Sequence, residues 1–313
     1  MSPKPEGRRR RGAAELWRVA LSAVDGQSAE AAARALGEFD SVSAFKENLG
    51  PGWRVEGLTR AAPDRAQLVA RLALAWLDLA GPPPEPRWER VKQADWLAVN
   101  QASFPPRTVG RYFIHPTHNR GRPPAGRIGL AIDAATAFGT GEHASTIGCL
   151  LALEAFGRPH RVLDIGTGTG ILAIAAAKRW KRRVRACDID REAVRVATCN
   201  LRCNGVAALV ALSCSGSYRD RAVARGRPYD LVLANILARP LKLLARDLGT
   251  ALAPGGAVVL AGLLPWQENS VLAAHRLQGL RLSQRLVVDG WSTLVLSRGR
   301  PAHFHPIRRR LTS

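Results

Sequence analysis

The stretch that most constrains this chain is RVLDIGTGTGILAIAAAKRW, residues 161 to 180. An apolar run interrupted by one acid, Asp164, leads into Gly166, Gly168 and Gly170, and an alanine-rich run follows. The pattern predicts a buried strand, a tight turn and a helix, because glycines let the backbone turn sharply and approach a ligand at the helix N-terminus. The G-x-G-x-G spacing is not the G-x-G-x-x-G that accommodates a dinucleotide pyrophosphate. Next, RVRACDI reads as a second strand carrying Asp188 at its end. An acid about twenty residues beyond the loop is placed to accept hydrogen bonds from both ribose hydroxyls, and its charge argues against a 2′-phosphate. In this order the elements point to S-adenosylmethionine, with Asp164 near a cationic group and the glycine loop around a neutral nucleoside.

The surrounding sequence supports an α/β reading. From Arg127 onward strands alternate with helical segments at 169–179, 190–203, 238–250 and 265–278, which predicts a doubly wound, mostly parallel sheet. The last two strands lack a helix between them, so an antiparallel hairpin is expected around the DGW at 289–291. Upstream, residues 13–92 show the order β-α-β-β-α-β of a small ferredoxin-like α+β domain. Residues 93–126 read as a linker, with a short helix at DWLAVNQ, a strand at RYFIHP and a basic loop. The catalytic domain is expected over 127–298, and basic disordered tails over 1–12 and 299–313.

Composition narrows the partners. No apolar run reaches the ~20 residues of a membrane span, and acids interrupt any signal-peptide core, so a cytoplasmic protein is expected. The five cysteines show no zinc spacing, and no metal site is expected; Cys199 and Cys203, one helical turn apart, read as packing residues. The net charge is +21, of which residues 1–12 hold +4 and 298–313 hold +5, leaving +12 on the rest. Such an excess favours a polyanionic setting such as RNA or ribosomes, and an arginine-rich genome accounts for it equally well. A basic protein partner would gain little long-range attraction from it, unless a local acidic patch at Glu38, Asp40 and Glu47 receives it or the excess contacts RNA.

Two further motifs refine the chemistry. The strand YDLVLANIL carries Asn235 near its end, followed by Ile236 and Leu237. Enzymes that methylate nucleobases typically place Asn-Pro-Pro-aromatic there, so a flat base would lack its stacking partner and a flexible amine fits better. The second glycine loop, AFGTGEHAST at 137–146, has neither the lysine nor the placement of a phosphate-binding loop. Thr140, Ser145 and Thr146 read as helix caps as well as ligand contacts.

AFGTGEHAST, VLDIGTGTGILAIAAAK, ACDID, LANIL and LAPGGAVVLAGLL together resemble the PrmA family, class I methyltransferases of large-subunit ribosomal protein eleven. The resemblance runs from about Asp95 to about Arg298. It implies an N-terminal domain that recognises the ribosomal protein, a class I S-adenosylmethionine-binding domain, and methylation of lysine side chains or an N-terminal α-amine. By this analogy Thr146, Gly166, Asp188 and Asn235 contact S-adenosylmethionine, and the loop from Phe138 through Thr140 to His143 closes over its methionine end. Asn235 is expected to position the amine, with no dedicated base; His143 and Glu142 are the nearby proton acceptors, His143 reading better as a structural residue. The partners expected are a large-subunit ribosomal protein and the rRNA or ribosome, with no DNA or membrane, for a chain acting as a monomer. RNA or a small-molecule amine is the alternative substrate, and a non-catalytic nucleoside-binding or scaffolding module is a third reading.

Overall fold

The structure, a computed structural model, describes residues 16–39, 41–46, 52–59, 62–91, 106–118, 123–133, 143–299 and 304–306. The chain divides into two compact units, 1–99 and 100–313.

In the first unit the elements follow the expected order: β1 (Leu16–Ala23), α1 (Gly26–Ala35), β2 (Ser41–Lys46), β3 (Trp53–Thr59), α2 (Arg65–Ala75) and β4 (Arg87–Val91). The four strands pair antiparallel in the order β2-β3-β1-β4, the ferredoxin-like arrangement. Alternation along β3 turns Trp53, Val55 and Thr59 inward, while α1 presents Ala29, Ala31, Ala32 and Ala35 to the core. These small side chains let the helix lie close on the sheet. Asp25 starts α1 with a reciprocal cap, accepting from Ser28 N at 2.8 Å while Ser28 Oγ accepts from Asp25 N at 3.1 Å. Glu38 is ion-paired with Arg71; Asp40 and Glu47 lie outside the described residues.

The second unit opens with β5 (Arg107–Val109), β6 (Tyr112–His115) and β7 (Ile128–Ala131), which form a three-stranded sheet of their own. Thus part of the stretch expected as a linker is ordered structure. Tyr112, Ile114 and Leu130 are completely buried and pack into the main core. The expected helix at DWLAVNQ lies outside the described residues.

There follow α3 (Ala144–Glu154), β8 (Val162–Ile165), α4 (Ile171–Trp180), β9 (Val184–Asp188), α5 (Arg191–Cys203), β10 (Val210–Cys214), the short α6 (Arg221–Ala224), β11 (Tyr229–Asn235), α7 (Ala238–Ala251), β12 (Leu252–Leu263), α8 (Glu268–Arg276), β13 (Arg281–Val288) and β14 (Trp291–Ser297). The sheet order is β10-β9-β8-β11-β12-β14-β13, parallel from β10 to β12 and antiparallel thereafter. Successive residues of each buried strand feed opposite cores. Val162, Leu231 and Leu233 pack with α3 and α4, whereas Leu163, Ile165 and Val232 pack with α7 and α8. Apolar residues on both faces are what a sheet covered twice requires. The terminal hairpin turns at Asp289 and Gly290, both at positive φ (43° and 77°), the conformation for which Asp-Gly is suited.

The chain runs outward from β8 to β9 and β10, then returns to place β11 on the other side of β8. Beyond the C-terminal ends of β8 and β11 this reversal opens a crevice, the usual ligand position in such sheets. Among the described residues, no helix is long and apolar enough to cross a membrane.

Candidate cofactor and active site

β8 ends in the glycine turn, where Gly166, Gly168 and Gly170 adopt φ of 71°, 55° and 85°. Gly166 meets two demands at once. Its φ is one that side-chain-bearing residues avoid, and an added Cβ would lie 2.2 Å from Ile236 Cγ2.

Three side chains hold the turn. Asp164, wholly buried, accepts through Oδ2 from Thr167 Oγ1 at 2.6 Å and from Ala173 N at 3.1 Å. Asp188, half-buried at the end of β9, accepts from Gly168 N at 2.8 Å and from Asp190 N at 3.0 Å. Asn200 on α5 donates to Thr169 O at 2.9 Å.

Asn200 and its neighbour Asn204 had no role in the sequence reading. Asn200 Oδ1 accepts from Asp133 N at 3.1 Å, and Asn204 exchanges hydrogen bonds with the backbone of Ala131. They therefore tie the end of β7 to the glycine turn. Their signal was two amides four residues apart on the face that also carries Ala193, Val196, Ala197 and Leu201. Cys199 and Cys203, expected in packing, are exposed because these other residues occupy the buried face.

The second wall comes from α3 and β11. Thr146, in the first turn of α3, is fully buried and accepts from Asn235 Nδ2 at 3.3 Å. This bond orients the Asn235 amide and brings together two residues separated by 89 positions. The cap of α3 is His143 rather than a hydroxyl residue: its Nδ1 accepts from Ser145 N at 3.3 Å, and its ring stands edge-on to Trp291 with centroids 4.3 Å apart. Burial pushes the His143 pKa down to about 4, so the ring is neutral near pH 7. With Nδ1 accepting, the proton of neutral imidazole sits on Nε2, which leaves that nitrogen without a lone pair for a base.

Two oxygens stand out. Among the described residues, Asp164 Oδ1 and Asn235 Oδ1 are buried without a hydrogen-bond partner. β8 and β11 are adjacent strands, with Asp164 in register with Leu233, two residues before Asn235. Burial raises the Asp164 pKa to about 7, the nearby charge of Asp188 adds to the rise, and the bonds from Thr167 and Ala173 oppose it. Buried acceptors left open in this way call for a ligand with N–H donors or a positive charge. S-adenosylmethionine has both, together with ribose hydroxyls suited to Asp188, so the residues present fit it.

The expected site residues thus fall into two groups beside one crevice: Asp164, Gly166, Gly168 and Asp188 at the turn, and His143, Thr146 and Asn235 on α3 and β11. Phe138, Thr140 and Glu142 lie outside the described residues, so the loop closure expected of them does too.

The family model of ribosomal protein L11 methyltransferase (PrmA) matches residues 10–299. The chain belongs to this family. A ribosomal protein L11 methyltransferase of Caulobacter sp. (strain K31) is 42% identical over 280 residues, covering 86% of this chain and 94% of the relative. Another, from Rhodopseudomonas palustris (strain BisB5), is 45% identical over 213 residues, covering 67% and 72% respectively. Among solved structures, a ribosomal protein L11 methylase from Lactobacillus delbrueckii subsp. bulgaricus superposes with a TM-score of 0.57 at 28% identity, covering 64% of this chain and all 100% of that one. As a member of the family the chain is a class I methyltransferase that uses S-adenosylmethionine as methyl donor.

Proposed function

We propose that the protein methylates amine nitrogens of ribosomal protein L11, lysine side chains or the N-terminal α-amine, with Asn235 positioning the amine. The observation that carries this reading is the state of Asn235: its Nδ2 is engaged by Thr146, while its Oδ1 is buried and open among the described residues. An oriented amide oxygen accepts an N–H of the incoming amine and aims the nitrogen lone pair elsewhere. S-adenosylmethionine supplies an electrophilic methyl group on a positively charged sulfur.

The chain's own task is then largely positioning and water exclusion. A lysine amine with an ordinary pKa of about 10.4 must lose its proton before it attacks, and a buried site lowers that value by desolvation. Neutral His143 caps α3 and leaves deprotonation to the environment and to solvent. Asp164 Oδ1 serves the donor's ammonium group, Gly166 and Gly168 let the backbone approach the nucleoside, and Asp188 accepts from the ribose.

A nucleobase substrate is disfavoured at the same place. Ile236 packs against Gly166 and Leu237 is exposed at the start of α7, so neither offers a ring for stacking. On this reading the enzyme works as a monomer in the cytoplasm, where ribosomal proteins are made and assembled. Labelled S-adenosylmethionine incubated with the enzyme, L11 and undermethylated ribosomes tests it, with mass spectrometry of protein and RNA. Methylated amines on L11 are expected; label in rRNA, or none at all, overturns the reading.

A further inference from the structure

The opposite edge of the seven-stranded sheet carries a second feature that methyl transfer does not use. Beyond the N-terminal ends of β8, β9, β10 and β11 lies a cavity of about 430 Å³, lined in part by His160, Arg161, Arg183, Arg185, Arg225 and Arg227. Among the described residues, none of the five arginines forms an ion pair with a carboxylate. Asp230, the acid nearest in sequence at this edge, accepts instead from the backbone N of His160 and of Arg161, both at 2.9 Å.

Three of the guanidiniums are nonetheless held in place. Arg185 donates to Ala222 O at 2.8 Å, Arg161 to Arg227 O at 3.3 Å, and Arg227 to Tyr218 O. Backbone carbonyls fix these side chains without cancelling their charge. Gly226 makes room for one of them, since a Cβ there would come within 2.4 Å of Arg185 Cδ. Arg227 Nε is buried with no hydrogen-bond partner among the described residues. Arg183 and Arg225 stand exposed.

Preordered, unneutralised guanidiniums around a cavity suit an anion, and the planar fork of arginine matches phosphate oxygens. Of the two rings in the lining, that of Tyr229 is 1% exposed and donates its hydroxyl to Val223 O at 2.5 Å, which leaves the exposed imidazole of His160 as the one ring open to a base. With five guanidiniums against a single imidazole, a partner held here is gripped chiefly by its backbone and not read by its bases. We infer that this cavity is a second binding site and that it holds the phosphodiester backbone of RNA. The choice of RNA over an acidic polypeptide rests on the proposed ribosomal substrate, which is found with rRNA. The crevice at the other strand ends stays accessible, because β9, five residues long, separates the two edges by roughly 15 Å.

The test is binding of a fluorescent RNA hairpin to the full chain over a salt series, alongside methylation of free L11, so that failure of either reading shows separately. Arg183→Glu/Arg225→Glu alters two exposed residues whose side chains have no hydrogen-bond or ion-pair partner among the described residues. It is expected to weaken RNA binding at least tenfold near 0.1 M salt and to flatten the dependence of log K on log salt by about 1.5 to 2 units. The matched control Arg276→Glu/Arg281→Glu changes exposed arginines elsewhere and is expected to shift affinity less than threefold. Both variants should keep wild-type melting temperature and L11 methylation. Equal losses in the two double variants, or none in the first, overturn the site. So does displacement of the RNA by polyglutamate at equal charge concentration, or by millimolar inorganic phosphate, which would assign the cavity to an acidic polypeptide or to free phosphate.

Discussion

The two edges of the parallel sheet are built from the same strands, yet their chemistry is opposite. The C-terminal edge gathers acceptors: Asp164, Asp188, Asp190 and the amide oxygen of Asn235. The N-terminal edge gathers donors: five arginines around a cavity, with Lys178, Arg179 and Lys181 at the end of α4. Crossover connections put the N-termini of α4, α5 and α7 at the first edge and their C-termini at the second. Helix dipoles stabilise acids at the one and cations at the other by about 0.3–1 kcal/mol each. The dipoles account for the sign at each edge. They do not account for the buried acceptors without donors or the cations without counter-ions among the described residues, and the two proposed ligand sites rest on those surpluses.

The strongest challenge to the acceptor edge is Gly166→Ala. The new Cβ meets Ile236 and the backbone sits at φ 71°, so we expect about 3 kcal/mol of lost stability, measured by denaturant unfolding. A loss below about 1 kcal/mol would show that the turn relaxes without its glycine. Next is Asn235→Ala, for which turnover on L11 should fall about a hundredfold with cofactor affinity nearly unchanged. A fall of less than about tenfold would remove the amide from amine positioning.

What the sequence disclosed follows from the range over which each feature acts. The β8 turn, Asp188 and the Asp-Gly hairpin are local, since each is determined by neighbours in sequence and could be read from a short window. β5 and β7, of three and four residues, are too short to show alternation, and their order comes from Tyr112, Ile114 and Leu130 entering a distant core. The meeting of Thr146 with Asn235 is a long-range product of α3 packing on β12 and β14. The cap at His143 escaped notice because hydroxyl residues lay beside it, and cap preference alone ranks those higher. The basic cavity was invisible for a related reason. Its arginines are scattered from 161 to 227, and only the sheet brings them to one edge.

Thr146→Val tests one of those long-range meetings. It keeps the shape but withdraws the acceptor that orients Asn235, worth about 1 kcal/mol for one neutral hydrogen bond. Turnover should drop roughly fivefold, with less change in cofactor affinity. An Asn235→Ala/Thr146→Val double variant no slower than Asn235→Ala alone would show that Thr146 acts through the amide. Additive losses would separate the two.

The finest test of the acceptor edge is its charge. In the free protein Asp164 keeps its proton up to about pH 7, against about 3.9 in an unfolded chain. The folded state therefore binds the extra proton between these values, and the stability this confers is full below about pH 4 and lost as the pH rises through 7. A cationic ligand beside Oδ1 reverses the preference, because it favours the carboxylate and releases the proton on binding. Affinity for S-adenosylhomocysteine, measured by calorimetry, should thus tighten about fivefold from pH 6 to pH 8, with proton release seen in buffers of different ionisation enthalpy. His143 adds no slope in that window, because its folded value near 4 keeps it neutral throughout. Asp164→Asn retains an acceptor for Thr167 and Ala173 but cannot ionise, so its profile should be flat. An unchanged slope in that variant would move the titrating group elsewhere and leave the open oxygen of Asp164 as a neutral acceptor.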